Sequence, residues 1–113
     1  MSFLPTDIFA DIVAGKIPAN IVYETNTILA FRDINPKAKT HIVIIPKENV
    51  KTAKEVSEKN IKLFGELFSA AKEIAHKLNL NGYKLHMNVD EQGGQVVPHV
   101  HLHLLSPDFK SSL

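Results

Sequence analysis

A chain of 113 residues, 44% of them apolar and 22% charged, has the material for one buried core and reads as a single soluble domain over residues 1–113. Its 13 basic and 12 acidic residues leave a formal net charge of +1, and no Lys/Arg run is longer than two. Attraction to nucleic acid or a membrane surface through bulk charge therefore has no support. The absence of cysteine excludes disulfide frameworks, thiolate zinc sites and a Cys nucleophile.

The opening "MSFLPTDIFADIVAG" has neither a basic n-region nor the apolar run of a signal peptide. No stretch approaches the ~18 apolar residues of a spanning helix. The expectation is a cytoplasmic protein with neither nucleic acid nor membrane among its partners. Residues 5–18 predict a short helix: Thr6 or Asp7 caps it, Ile8, Phe9, Ile12 and Val13 form its apolar stripe, and Gly15 followed by Pro18 stops it. "NIVYE" and "TILAFRDI" predict two strands joined at Thr25-Asn26. "NPKAKT" is a loop, and "HIVIIP" a β-branched strand closed by Pro46.

Residues 52–82 form the main helical region. Phe64, Leu67, Phe68, Ala71, Ile74, Ala75 and Leu78 recur at helical spacing as its buried face. Its start is set either by Thr52 with Glu55 or by Ser57, with a break near 56–58, and Asn81-Gly82 ends it. "YKLHMNV" predicts a strand, "DEQGG" a turn, and "QVVPHVHLHLL" the last strand. Helix, three strands, long helix and two strands make an α+β fold, an antiparallel sheet with the long helix on one face.

The last strand carries the chemistry. His99, His101 and His103 alternate with Val100, Leu102 and Leu104, so a regular strand puts all three imidazoles on one face. Three uses compete for that row. It could be a solvated polar face. It could bind a metal, although His99 and His103 would lie ~13 Å apart on an extended strand, so a further ligand would have to come from His41, His86 or a carboxylate. Or a central imidazole acts as nucleophile on phosphorus, while a protonated neighbour and main-chain N–H groups stabilise the phosphoryl oxygens. Gly93-Gly94, five residues before the row, would let main-chain amides approach an anion.

"HVHLHLL" fits the histidine-triad (HIT) signature, and the chain resembles that family over nearly its whole length. "DIFADIVAGKIPANIVYE", "AFRDINPKAKTHIVIIPK" and "HMNVDEQGGQVVPHVHLHLL" are similar, in register, to the Hint branch, the purine nucleoside phosphoramidase-like group. The resemblance implies a five-stranded antiparallel sheet with one long and one short helix, joined into ten strands in a homodimer. It also implies a metal-independent hydrolase without a cofactor. The substrates would be purine nucleoside 5′-phosphoramidates, with aminoacyl-adenylates as a further class, cleaved through a nucleotidyl-histidine intermediate. Alternatives are dinucleoside polyphosphate hydrolysis, as in the Fhit branch, and a nucleotide-binding interaction module whose catalysis is incidental.

By the same resemblance His101 is the nucleophile, His103 hydrogen-bonds the phosphate, and His99 and His41 orient the row. Asp33 holds the ribose hydroxyls, and Ile8, Phe9, Ile12 and Ile34 wall the base. Asn88 and the segment Gly94-Gln95-Val96 contact phosphate and sugar. Read without the resemblance, Phe9 and Ile12 are core, Asp33 forms a turn and His41 sits at a strand edge. His76 is surface, and His86 receives no role. Two departures stand out: Val96 replaces a serine common in the branch, which bears on protonation of the leaving amine. The ending "SPDFKSSL" is also shorter than the Trp-containing tail of animal relatives, which bears on leaving-group preference.

Overall fold

The computed structural model describes residues 2–107. In chain order they form helix α1 (Ile8–Val13), strands β1 (Ile21–Glu24), β2 (Ile28–Arg32) and β3 (Thr40–Pro46), helix α2 (Ile61–Lys77), and strands β4 (Lys84–His86) and β5 (Leu102–Ser106). Single 3-10 turns occur at Ala53–Glu55 and Glu91–Gly93. The strands make one antiparallel sheet in the order β1-β2-β3-β5-β4. That is the expected α+β architecture. Among the described residues no helix is long and apolar enough to cross a membrane.

Alternation along β3 and β5 divides the sheet. Ile42 and Ile44 pair with Leu104 and Leu102 and point toward α2, where Leu67, Ala70, Ala71 and Ile74 close the main core. The intervening residues, His41, Val43 and His103, face the other way. There a smaller cluster of Phe9, Leu29, Phe31, Val43, Ile45 and Val97 forms beneath α1. Asp7, not Thr6, caps α1: its Oδ1 accepts from the Phe9 and Ala10 amides, both at 3.0 Å. Gly15, at φ 78°, takes the left-handed conformation just beyond the helix. The hairpin turns at Thr25, whose Oγ1 accepts from the Ile28 amide at 3.0 Å.

Four expectations are corrected. Helix α2 begins at Ile61, after both proposed starts, because local side-chain bonds hold residues 52–60 in turns. Asn60 Oδ1 accepts from the Ser57 amide at 2.8 Å, and Asn60 Nδ2 donates to the Glu55 carbonyl at 3.1 Å. Phe68, expected on the buried face, is 54% exposed on the outer side of α2. The last strand is β5 alone, and the strand predicted over 83–89 shortens to β4. Residues 95–101 instead form a bent segment, in which Gln95 Oε1 accepts from the Asp90 amide and Nε2 donates to the Lys51 and Val97 carbonyls. Pro98 sits at that bend without an amide to pair.

Candidate active site

The antiparallel register gathers imidazoles from three strands onto the face away from α2. Val43 pairs with His103 and His41 with Leu105, so His41 and His103 are diagonal neighbours; His86 pairs with His103 from β4. Ring centroids are 5.0 Å apart for His41–His103 and for His101–His103, and 5.8 Å for His86–His103. Phe9, on α1, sets its ring edge-on to His101 at 5.0 Å. A cleft of about 770 Å³ opens over this group.

Hydrogen-bond partners fix the ring protons. The Lys37 amide donates to His41 Nδ1 at 3.0 Å, so the neutral His41 ring carries its proton on Nε2. His41 Nε2 donates to His103 Nδ1 at 2.9 Å and lies 3.5 Å from Asp33 Oδ2. His103, accepting at Nδ1, therefore carries its proton on Nε2. His101 has the opposite tautomer: its Nδ1 donates to the His99 carbonyl at 2.7 Å, leaving the Nε2 lone pair free. A lone pair on one ring thus stands beside an N–H on the next. That combination suits attack on a phosphorus whose oxygens need a donor.

Burial keeps these rings neutral. It lowers the His101 pKa, with the His99 charge adding to the fall and the hydrogen bond to the His99 carbonyl opposing it. Burial also pushes His103 down to about 3, assisted by His101, His41, His86 and Lys37. His41 is lowered by burial against the opposing pull of Asp33. The protonated neighbour expected from sequence is thus a neutral donor instead.

The row is not one flat face. His99 is buried behind the cleft, where Nδ1 donates to Asp7 Oδ2 and Nε2 to the Pro46 carbonyl, both at 2.7 Å. The structure brings Phe9, Asp33, His41, Asn88, Gly94, Val96, His101 and His103 together around the cleft. Ile8 and Ile12 pack behind it against the Phe9 cluster. Ile34 is 91% exposed and does not reach it, and Gln95 is buried with its side chain fully engaged.

Gly94, at φ 93°, needs the freedom of glycine. The expected main-chain anion cradle is not formed, however. The amides of Gly93 and Gln95 donate to the Asp90 carbonyl, and that of Gly94 to the Glu91 carbonyl. Sequence reasoning also passed over Asn35, Lys37, Lys84 and His86 in the lining. The last two had a signal: residues 84, 86 and 88 alternate onto one face. His86 Nε2 meets Asn88 Oδ1 at 2.5 Å. For a metal, the donor atoms of Asp33, His41 and His103 all lie within 4.8 Å of one another. An ion there would displace the proton that His41 Nε2 donates to His103 Nδ1.

A five-stranded antiparallel sheet thus has one long helix behind it and a tautomer-ordered imidazole cluster in front, under an open cleft. The chain belongs to the HIT family: the HIT domain matches residues 14–110. It is 42% identical over 100 residues to the purine nucleoside phosphoramidase of Escherichia coli K12, covering 87% of this chain and 84% of that one. An uncharacterized HIT-like protein of Buchnera aphidicola is 43% identical over 100 residues, with 87% and 88% covered. Among solved structures, a HIT family hydrolase from Legionella pneumophila superposes with a TM-score of 0.88 at 41% identity, over 95% of this chain and 97% of that one. One from Clostridium thermocellum gives 0.89 at 35% identity, with 97% of each covered. The chain is a HIT family hydrolase.

Proposed function

We propose that this hydrolase cleaves the P–N bond of purine nucleoside 5′-phosphoramidates, and of the related aminoacyl-adenylates at P–O, by two displacements at phosphorus. The observation that carries the reading is the pairing of a free His101 Nε2 lone pair with a neighbouring His103 Nε2–H at the floor of the cleft. His101 Nε2 attacks the α-phosphorus while His103 donates to a phosphoryl oxygen. As the His101–phosphorus bond forms the P–N bond breaks, and the nitrogen leaves as the amine with a proton taken from solvent in the open cleft. Water then attacks phosphorus, His101 Nε2 leaves with its lone pair, and the water's proton returns to solvent, releasing the nucleoside monophosphate. Asp33, half-buried at the cleft wall, accepts from the ribose hydroxyls. Phe9 offers the base an apolar surface. None of these steps calls on a cofactor, and the E. coli relative's name supports the substrate class.

The test is hydrolysis of adenosine 5′-phosphoramidate in excess EDTA by wild type and His101→Ala. Turnover by wild type alone is expected. Bound nucleotide without turnover in either would make the protein a nucleotide-binding module. We also infer a homodimer. Among the described residues β4 is a terminal strand of the sheet, and Phe68 and Ile61 on α2 are 54% and 56% exposed. A second copy would cover both. Sedimentation should give twice the 12.6-kDa chain mass, and a monomer would refute the inference.

A further inference from the structure

His99 is the member of the row that the cleft does not use. Its ring is buried, and both nitrogens face acceptors: Asp7 Oδ2 at Nδ1 and the Pro46 carbonyl at Nε2. Asn49 Nδ2, 3.4 Å from Nδ1, closes the same corner, so the ring is gripped at both ends, by Asp7 at one nitrogen and by the Pro46 carbonyl at the other. Asp7 lies 92 residues away in the chain. Its two oxygens have separate tasks: Oδ1 caps α1 through Phe9 and Ala10, whereas Oδ2 receives His99 and the Asn49 side-chain amide. A cap alone needs no second oxygen.

What His99 presents to the cleft is its carbonyl, which accepts the His101 Nδ1 proton at 2.7 Å. Three bonds hold that carbonyl in place. The Val100 amide of the same peptide donates to the Val50 carbonyl at 2.7 Å, and the His99 amide donates to the Val97 carbonyl at 2.8 Å. The ring anchor between Asp7 and Pro46 is the third, and the only one of them that ties this peptide to α1.

We propose that Asp7 is a positioning residue for His101: by hydrogen-bonding the His99 ring it fixes the carbonyl that sets the nucleophile's tautomer and aim. The kinetic consequence rests on the phosphoramidase reading above, but the tautomeric consequence does not. Without the carboxylate, the His99 ring keeps the Pro46 carbonyl but loses its partner at Nδ1. It then holds the bend at one end only. The lone pair of His101 loses a fixed direction, and misplacement of about 1 Å costs on the order of 100-fold in rate.

Asp7→Ser separates the roles, because serine still caps a helix but is too short to reach His99. Asp7→Asn keeps the length and the cap and turns a donor toward His99. The first readout is nitrogen-15 NMR of the histidine rings. Wild type should show slowly exchanging protons at His99 Nδ1 and at His101 Nδ1. Both variants should lose the protected His99 Nδ1 signal and show faster exchange at His101. The second readout is hydrolysis of adenosine 5′-phosphoramidate, where kcat should fall ~10–100-fold with KM held within about threefold.

A His99 Nδ1 proton still protected in both variants, with His101 exchange unchanged, would overturn the proposal. So would a raised KM at unchanged kcat, which would mean that Asp7 only caps α1 and seats Phe9. Should wild type fail to turn over the phosphoramidate, the functional reading falls, and the ring-proton comparison still decides the role of Asp7.

Discussion

The two faces of the sheet are built from adjacent residues of the same strands, yet they are chemically opposite. Toward α2, Ile42, Ile44, Leu102 and Leu104 are almost wholly buried among aliphatic neighbours. One residue along in each strand, His41 and His103 enter a hydrogen-bonded set that includes Asp33 and ends in a cleft. The difference shows how a small domain separates stability from chemistry by strand alternation. The α2 face supplies hydrophobic free energy, and the cleft face spends some of it on neutral, partly desolvated imidazoles. Substitutions on the two faces should therefore change different observables.

The largest effect belongs to the cleft face. His101→Ala should lower kcat by at least ~1000-fold, since it removes the lone pair held toward the cleft by the His99 carbonyl. Nucleoside monophosphate binding should stay within about tenfold, ~1.4 kcal/mol, by calorimetry. Loss of fold in that variant would mean that the faces are not separable. The converse is Leu104→Ala, which should cost ~2–5 kcal/mol in urea unfolding while turnover per folded molecule stays within about twofold. A fall in turnover at full folding would show that the α2 face positions the site.

Acid provides a graded test. In the folded protein the His103 pKa is about 3, below its unfolded value of about 6.5. Between those values the unfolded chain binds more protons, so stability is full above about pH 6.5 and declines as pH falls toward about 3. Urea midpoints should follow that slope, and His103→Asn should flatten it. An unchanged slope would mean that other groups set the acid limb. The smallest effect is expected at Val96, which lines the cleft without a donor. Val96→Ser should raise kcat by about fivefold, equivalent to ~1 kcal/mol for one added hydrogen bond. No gain in steady-state assays would show that its hydroxyl finds no partner in the reaction.

Much of this division was legible in the sequence because period-2 alternation is a local signal. It set His101 and His103 apart from Leu102 and Leu104, which lie in the core, and the β-branched run "HIVIIP" located β3. Motif resemblance added Asp33, Phe9, Asn88 and Val96. What escaped was set by contacts that hydrophobic pattern does not encode. The start of α2 depends on Asn60 binding Ser57 and Glu55. The bend before β5 depends on Gln95 reaching Lys51, and the inward turn of His99 on an aspartate at the other end of the chain. Gly93 and Gly94 read as an anion cradle, but their amides close the loop on itself. The ending "DFKSSL", and with it the expected effect of a short tail, lies outside the described residues.

The most direct test of the two-step chemistry is the configuration at phosphorus. A P-chiral adenosine 5′-phosphorothioamidate of known hand would be hydrolysed in water labelled with heavy oxygen, and the product's configuration read by phosphorus NMR. Each in-line displacement inverts the centre, so attack by His101 followed by attack by water predicts overall retention. Net inversion would mean that water attacks directly, and would contradict the role assigned to His101.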